Sequence, residues 1–326
     1  MKPSEVASML ECCVDVKMPA CIWGSPGIGK SDVVRQTGLK LQRRVIDVRA
    51  SLLDAVDLRG IPSIQNGRTT WCTPDFLPDG TGGPSILFLD ELNRAPTMVQ
   101  NALLQLTLDR KLGEYSLPGN CEVVAACNEA GHGGGIQKMP QAQMNRFEHI
   151  EMEHDTDDWS RWAVQNGMEP AVIAFVRFRP ELLNQFSLKD RAFPTPRSWS
   201  FVSKITAKKP GNGIEHALYR GAVGTAAADE YSAFLRMFRE LPNIDAILLS
   251  PGTAAIPTQP ATIFAVVSAL SRRVTFANIA RIFQYFARLP QEYGVFGVQD
   301  AVRRDDNLKS TPDFTRWAID NAGVTF

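Results

Sequence analysis

Gly24-Ser25-Pro26-Gly27-Ile28-Gly29-Lys30-Ser31 fits the pattern G-x-x-x-x-G-K-[ST]. It follows the apolar run 20–23, which predicts a buried strand, and it precedes a segment typical of a helix. In such a context the loop backbone turns its N–H groups toward phosphate oxygens, and the helix N-terminus adds partial positive charge. All eight residues are therefore predicted to bind a nucleoside triphosphate, with Lys30 at the β- and γ-phosphates and Ser31 on Mg²⁺. The alternative is an ordinary Gly/Pro turn between a strand and a helix.

A second apolar run, residues 85–89, ends in two carboxylates, Asp90 and Glu91. A fully apolar run of this length is typical of a central strand in a parallel sheet. At the end of such a strand, Asp90 is expected to hold Mg²⁺ through water, and Glu91 to polarise the water that attacks the γ-phosphate. This pair favours hydrolysis of the triphosphate over transfer by a kinase. The alternative is an acidic strand end that caps the next helix.

Three further polar residues are candidates for the same chemistry. Asn128 follows the predicted strand 122–127, where its amide could hydrogen-bond the attacking water or the γ-phosphate; otherwise it is a turn asparagine. Arg146 precedes the last predicted strand, and it could stabilise transition-state charge in a neighbouring subunit, an effect worth about 10³–10⁵ in rate. Arg197 begins a helix after Pro196 and could reach the γ-phosphate. The alternative for Arg146 is a surface salt bridge, and the alternative for Arg197 is a structural role.

Composition limits the remaining function classes. The chain has 326 residues, enough for about two domains, and its formal net charge is zero, which argues against a broad basic surface for nucleic acid. None of the six cysteines forms a C-x-x-C pair, so we expect reduced thiols and a cytoplasmic protein. The first residues do not resemble a signal peptide. The longest apolar stretch, near 261–270, is too short to span a bilayer, so no membrane segment is expected.

Strand and helix signals alternate as far as residue 154, and only helix signals follow. This order predicts an α/β nucleotide-binding domain over residues 1–154 and a helical region over residues 155–326. Within the first part, Asn66-Gly67 predicts a type I′ hairpin over residues 61–72, and a second hairpin is predicted over 111–117.

The helical region has two clear helix signals, 224–240 and 276–289. In the second helix the spacing predicts one apolar face, made of Phe276, Ile279, Ala280 and Phe283. Thr156-Asp157-Asp158 is predicted to cap the first helix of the region, and residues 207–213 are predicted to form a loop.

Together these residues resemble those of an AAA+ ATPase, and more narrowly its MoxR branch. The resemblance rests on the loop 24–31, the string Asp90-Glu91-Leu92-Asn93-Arg94-Ala95-Pro96, Asn128 as sensor 1, Arg146 as arginine finger and Pro196-Arg197 as sensor 2. It implies a P-loop core, with a parallel sheet flanked by helices, then an all-helical lid and a C-terminal helical region. It further implies a hexameric ring that binds ATP and Mg²⁺ between subunits and remodels a protein client, commonly one with a von Willebrand factor A domain.

The sequence departs from that branch in two places. Asn128 is followed by Glu129-Ala130-Gly131, where the branch often has proline, and the region after about residue 205 resembles nothing nameable. Two other functions therefore stay open: a nucleic-acid-associated motor or loader, and a non-hydrolysing, nucleotide-gated scaffold. Trp23 and Phe193 are the candidates for holding the adenine.

Overall fold

The structure is a computed structural model that describes residues 1–129, 139, 144–239 and 244–321. The chain forms two compact units. The first comprises Met1–Asp158, Phe186–Lys189 and Thr195–Arg197, and the second comprises Trp159–Gln185, Asp190–Pro194 and residues 198–321. Ala130 and Gly131, part of the departure from the MoxR branch, lie outside the described residues.

The first unit is built on a five-stranded parallel sheet in the order β2–β5–β8–β1–β9. The strands of the unit are β1 (Ala20–Trp23), β2 (Arg44–Arg49), β3 (Ile61–Gln65), β4 (Arg68–Cys72), β5 (Ser85–Asp90), β6 (Lys111–Leu112), β7 (Tyr115–Ser116), β8 (Cys121–Cys127) and β9 (Glu148–Glu151). Because β1, β5 and β8 are parallel, their carboxyl ends meet at one edge of the sheet. The loop after β1, the carboxylates at the end of β5 and Asn128 after β8 therefore lie at that edge.

Helices cover both faces of this sheet. The helices of the unit are α1 (Pro3–Asp15), α2 (Lys30–Lys40), α3 (Ala55–Arg59) and α4 (Thr97–Asp109), and α5 (Thr156–Gln165) begins in it. Alternate residues of β5 point to opposite faces: Ile86 and Phe88 pack with α1 and α2, whereas Leu87 and Leu89 pack with α4. This burial on both faces explains the unbroken apolar run at 85–89 and confirms the predicted α/β class.

Both predicted hairpins are present outside the main sheet. Strands β3 and β4 are antiparallel, and Asn66 and Gly67 between them have φ values of 51° and 71°. Two successive positive φ angles are what a type I′ turn requires. Strands β6 and β7 form the second, shorter hairpin.

Among its described residues, the second unit contains helices and connecting loops and no β-strand. Its helices are α6 (Pro170–Phe178), α7 (Pro196–Lys208), α8 (Asn212–Val223), α9 (Thr225–Arg239), α10 (Ile244–Leu249), α11 (Pro260–Ser271), α12 (Ile279–Phe286), α13 (Gln291–Arg304) and α14 (Pro312–Asp320). Phe175 lies at the centre of an aromatic core, with its ring centroid 5.3–5.4 Å from those of Trp199, Tyr231 and Phe234. Among the described residues, no helix is both long enough and apolar enough to cross a membrane.

One predicted helical face is wrong. Helix α12 begins only at Ile279, because the Asn278 side chain accepts the Thr275 N–H and donates to the Arg273 carbonyl, which stabilises a turn there. Phe276 therefore lies before the helix and is 59% exposed. Ala280, the fourth predicted position, is also exposed. The buried face is Ile279, Ile282, Phe283, Tyr285 and Phe286.

Two boundaries also differ from the sequence prediction. The loop expected over 207–213 is only three residues long, because α7 continues to Lys208 and α8 begins at Asn212. At the start of α5, Asp155 accepts the Asp158 N–H, so Asp155 acts as the cap in place of Thr156.

Candidate functional site

The loop after β1 requires glycine at two positions, one because of its backbone conformation and the other because of a close contact. Gly29 has a φ of 105°, and Lys30 directly after it begins α2. Gly24 is constrained by space, since a Cβ there would lie 2.6 Å from the Met152 carbonyl oxygen. A short loop that enters a helix in this way directs N–H groups toward an anion. The geometry fits the phosphate-binding role predicted for residues 24–31.

Lys30 is the buried cation of the site. Its side chain is 8% exposed, and its ammonium donates to the carbonyls of Gly24 (2.7 Å) and Ser25 (3.0 Å) and to Oδ1 of Asn128 (2.9 Å). Burial lowers the pKa of Lys30 to about 8; Asp90 opposes this shift, and Arg197 adds to it. The hydrogen-bond partners of the ammonium are thus neutral oxygens, which a phosphate could replace with a stronger, charge-assisted interaction.

The side chains of Ser31 and Asp90 place two oxygen atoms, both potential metal ligands, close together near Lys30. The Ser31 hydroxyl donates to Oδ2 of Asp90 at 3.2 Å, and Oδ1 of Asp90 accepts the Glu91 N–H at 2.9 Å. Burial raises the pKa of the Asp90 carboxyl. A hydroxyl and a carboxylate at this spacing fit Mg²⁺, which binds proteins through one or two such groups and keeps several waters. No group of three or more His, Cys, Asp or Glu side chains suited to a metal occurs among the described residues.

Glu91 has a strained backbone and an engaged side chain. Its φ of 55° is in the left-handed region, which costs a non-glycine residue about 1–2 kcal/mol. Its carboxylate accepts from the Ser51 hydroxyl at 2.6 Å and lies 3.4 Å from an Arg94 nitrogen. Ser51, just beyond β2, was not identified from the sequence, because only the folding of β2 beside β5 brings it to Glu91.

Asn128 lies at the same edge of the sheet, directly after β8. It is buried, and its side chain joins it to Lys30. Its backbone is held by Asn93, whose amide donates to the Asn128 carbonyl (2.6 Å) and accepts the Asn128 N–H (3.1 Å). Asn93 is part of the Asp90–Pro96 string, but the sequence alone assigns it no role, since its partner is distant in the chain.

The two predicted arginines differ in their surroundings. The Arg197 N–H donates to the Gly27 carbonyl at 3.2 Å, and both residues belong to the first unit. Arg146 donates to the Leu104 carbonyl of α4 at 3.4 Å. Among the described residues, it makes no hydrogen bond to Lys30 or Asp90.

Of the two adenine candidates, Trp23 directly precedes the loop. Its indole N–H donates to Nδ1 of His149 at 2.8 Å, with the ring centroids 5.8 Å apart. This contact holds the indole against β9. Phe193 belongs to the second unit.

Comparison with known proteins gives a family match for part of the chain and several remote structural similarities. Residues 19–147 match the family model "AAA domain (dynein-related subfamily)". NtrX from Brucella abortus in complex with ADP is similar at 14% identity and a TM-score of 0.44, over 94% of this chain and 67% of that one. A mutant of RuvB from Thermotoga maritima is similar at 16% identity and a TM-score of 0.40, over 82% and 81%. Both similarities are remote. The family match covers residues 19–147, which is less than half of the chain, and together with the loop geometry around Lys30 it supports ATPase activity.

Proposed function

We propose that this ATPase is a ring-forming, MoxR-like enzyme of the cytoplasm that hydrolyses Mg-ATP to remodel a protein client. The single observation that carries the proposal is the convergence of Lys30 with Asn128, and of Ser31 with Asp90, at one sheet edge. Residues 1–154 would supply the nucleotide-binding domain, and residues 155–326 the lid and the helical extension. The six free cysteines agree with a reducing compartment.

Each residue at the edge has a distinct proposed role. Lys30 binds the β- and γ-phosphates, and Ser31 and Asp90 would hold Mg²⁺, which when bound neutralises charge on those phosphates. Glu91 accepts the proton of the attacking water, for which its carboxylate must leave the Ser51 hydroxyl. Asn128 orients that water or the γ-phosphate. Arg197 binds the γ-phosphate from the start of α7.

Two features support a ring that acts on protein. Arg146 hydrogen-bonds the Leu104 carbonyl rather than the loop of its own subunit, which leaves a role in the neighbouring subunit's site. The β3–β4 hairpin exposes two apolar side chains, Ile61 (73%) and Ile64 (82%), a chemistry that suits contact with protein better than with nucleic acid. We propose that a hexamer presents this hairpin to its client, possible clients including von Willebrand factor A domain proteins.

Substitution of the proposed base tests the hydrolysis. Glu91→Gln should keep the nucleotide affinity within about threefold but reduce kcat at least about 100-fold, because the amide cannot accept the proton. Steady-state phosphate release and binding of a fluorescent nucleotide measure the two effects, with Lys30→Ala as the binding-deficient control. Turnover near the wild-type rate would remove Glu91 from its role. Wild-type turnover no higher than that of Lys30→Ala would leave only the non-hydrolysing scaffold.

Mixing two inactive variants tests the ring. If Arg146 acts in the neighbouring site, Arg146→Ala subunits mixed with Lys30→Ala subunits should recover part of the activity, because some interfaces then combine an intact loop with an intact arginine. Activity that stays at the sum of the separate variants would restrict Arg146 to its own subunit or to a structural role. Mass photometry with ATP would report the ring size in the same samples.

Trapping with the Glu91→Gln variant tests the client class. Held with ATP, the variant should retain a protein that wild type releases on hydrolysis, and Ile64→Ser in the same background should weaken that retention. If single-stranded DNA instead stimulates the ATPase and binds with a strong salt dependence, the nucleic-acid motor is the better assignment.

A further inference from the structure

Asn93 connects two parts of the site that are distant in the sequence, the turn after β5 that carries Glu91 and Asn128 after β8. It is 1% exposed and lies in the short 3₁₀ turn Leu92–Arg94, two residues after Glu91. The backbone of this turn is closed by the Arg94 N–H on the Glu91 carbonyl at 2.9 Å. The position of Asn93 therefore depends directly on the position of Glu91.

Asn93 hydrogen-bonds the backbone of Asn128, which lies one residue beyond the strand pairing of β8. Strand pairing of β8 ends with Cys127, which is in register with Trp23 of β1. Asn128 is the next residue, and its N–H and carbonyl are both taken by the Asn93 amide. A buried peptide group with no hydrogen-bond partner is unfavourable, so the two bonds fix where the chain leaves the sheet. Only a side-chain amide supplies one donor and one acceptor in this planar arrangement.

Asn128 connects Asn93 to Lys30, the lysine proposed to bind phosphate. The Asn128 backbone is held by Asn93, and the Asn128 side chain accepts from the Lys30 ammonium at 2.9 Å. We propose that Asn93 is a positioning residue for ATP hydrolysis, which aims the Asn128 side chain at the γ-phosphate position and ties that aim to the turn carrying Glu91. This inference rests on the proposed role of Asn128 in hydrolysis. Asn93 itself touches neither nucleotide nor water in this role.

The chain offers a matched control, a second buried side-chain amide, in the helix α4 that follows this turn. Gln100 is also 1% exposed, and its amide donates to the Ala95 carbonyl at 2.9 Å. It therefore supports the segment after Glu91 without contacting Asn128. Asn93→Ala and Gln100→Ala remove comparable buried amides, but only the first is expected to affect the rate.

The test is a kinetic cycle on the full chain. Asn93→Ala should lower kcat at least about tenfold and leave the affinity for ADP within about threefold, whereas Gln100→Ala should keep kcat within about twofold of wild type. In an Asn128→Ala background, Asn93→Ala should lower kcat by less than about twofold more, because the side chain it aims is already absent. Asn93→Asp keeps the acceptor but puts a carboxylate oxygen against the Asn128 carbonyl oxygen, two acceptors with no hydrogen between them, so its kcat should be lowered at least as much as that of Asn93→Ala.

Three outcomes would overturn the proposal. The first is a kcat loss in the Asn93→Ala/Asn128→Ala double variant equal to the product of the losses in the two single variants. The second is a kcat loss in Gln100→Ala equal to that in Asn93→Ala. The third is loss of the folded state in both Asn93 variants while Gln100→Ala stays folded, which makes the residue purely structural. Failure of the proposed function is distinguishable, because wild-type turnover itself would then not exceed that of Lys30→Ala.

Discussion

Nucleotide binding should be coupled to proton uptake at Lys30. In the free protein burial lowers the pKa of this lysine to about 8, since its ammonium has only neutral oxygens as hydrogen-bond partners. A bound triphosphate places negative charge against the ammonium and raises that pKa again. Between pH 8 and the pKa of the complex, the complex holds more protons than the free protein. The affinity must therefore fall as the pH rises through about 8.

The size of the effect follows from the two protonation states. If only the charged form of Lys30 binds the nucleotide, the apparent Kd should increase about 25-fold between pH 7.5 and pH 9.5. At pH 8, binding should take up about half a proton per site. The terminal phosphate does not interfere, because its own titration is centred near pKa about 6, below this window.

Isothermal titration calorimetry of ADP, in two buffers of different ionisation enthalpy, measures both quantities. Lys30→Arg is the control, since a guanidinium stays charged over the whole range and should make the affinity independent of pH even if it is weaker. Circular dichroism at each pH checks that the protein is folded. The reasoning is refuted if the wild-type Kd stays within twofold between pH 7.5 and 9.5, or if Lys30→Arg shows the same pH dependence.

Two further predictions concern close approaches to glycines. Gly24→Ala should lose about 1–3 kcal/mol of unfolding free energy and bind nucleotide at least about tenfold more weakly, because its Cβ meets the rigid Met152 carbonyl oxygen at 2.6 Å. Gly119→Ala, which has open space, is the control in urea unfolding and nucleotide titration, and an equal loss there would contradict this explanation. In the second unit, Gly297→Ala should also cost about 1–3 kcal/mol, since its Cβ would lie 2.6 Å from the Phe286 ring. Gly221→Ala, a helical position with nothing within 4 Å, should instead stabilise by about 0.5–1 kcal/mol in the same unfolding assay.

In the helical region, apolar spacing predicts the start of the helix α12 incorrectly. The apolar spacing at 276–283 matched a helix, but the hydrogen bonds of the Asn278 side chain compete with helical ones and delay the start of α12. Phe276 therefore lies outside the apolar face that the spacing predicts for it. A spacing rule counts apolar residues, whereas the start of a helix depends on which polar side chain satisfies the backbone.

The α/β class, the glycine-rich loop after β1 and the carboxylates at the end of β5 could be predicted from the sequence, because those features depend on residues that are neighbours in the chain. Glycine conformations, strand periodicity and the loop-to-helix junction are all local properties. The tertiary structure decided that Ser51 holds Glu91 and that Asn93 holds Asn128. Both pairs form only when parallel strands bring their carboxyl ends together, and no local pattern encodes which side chains then meet. The lowered pKa of Lys30 has the same origin, since burial by distant segments produces it.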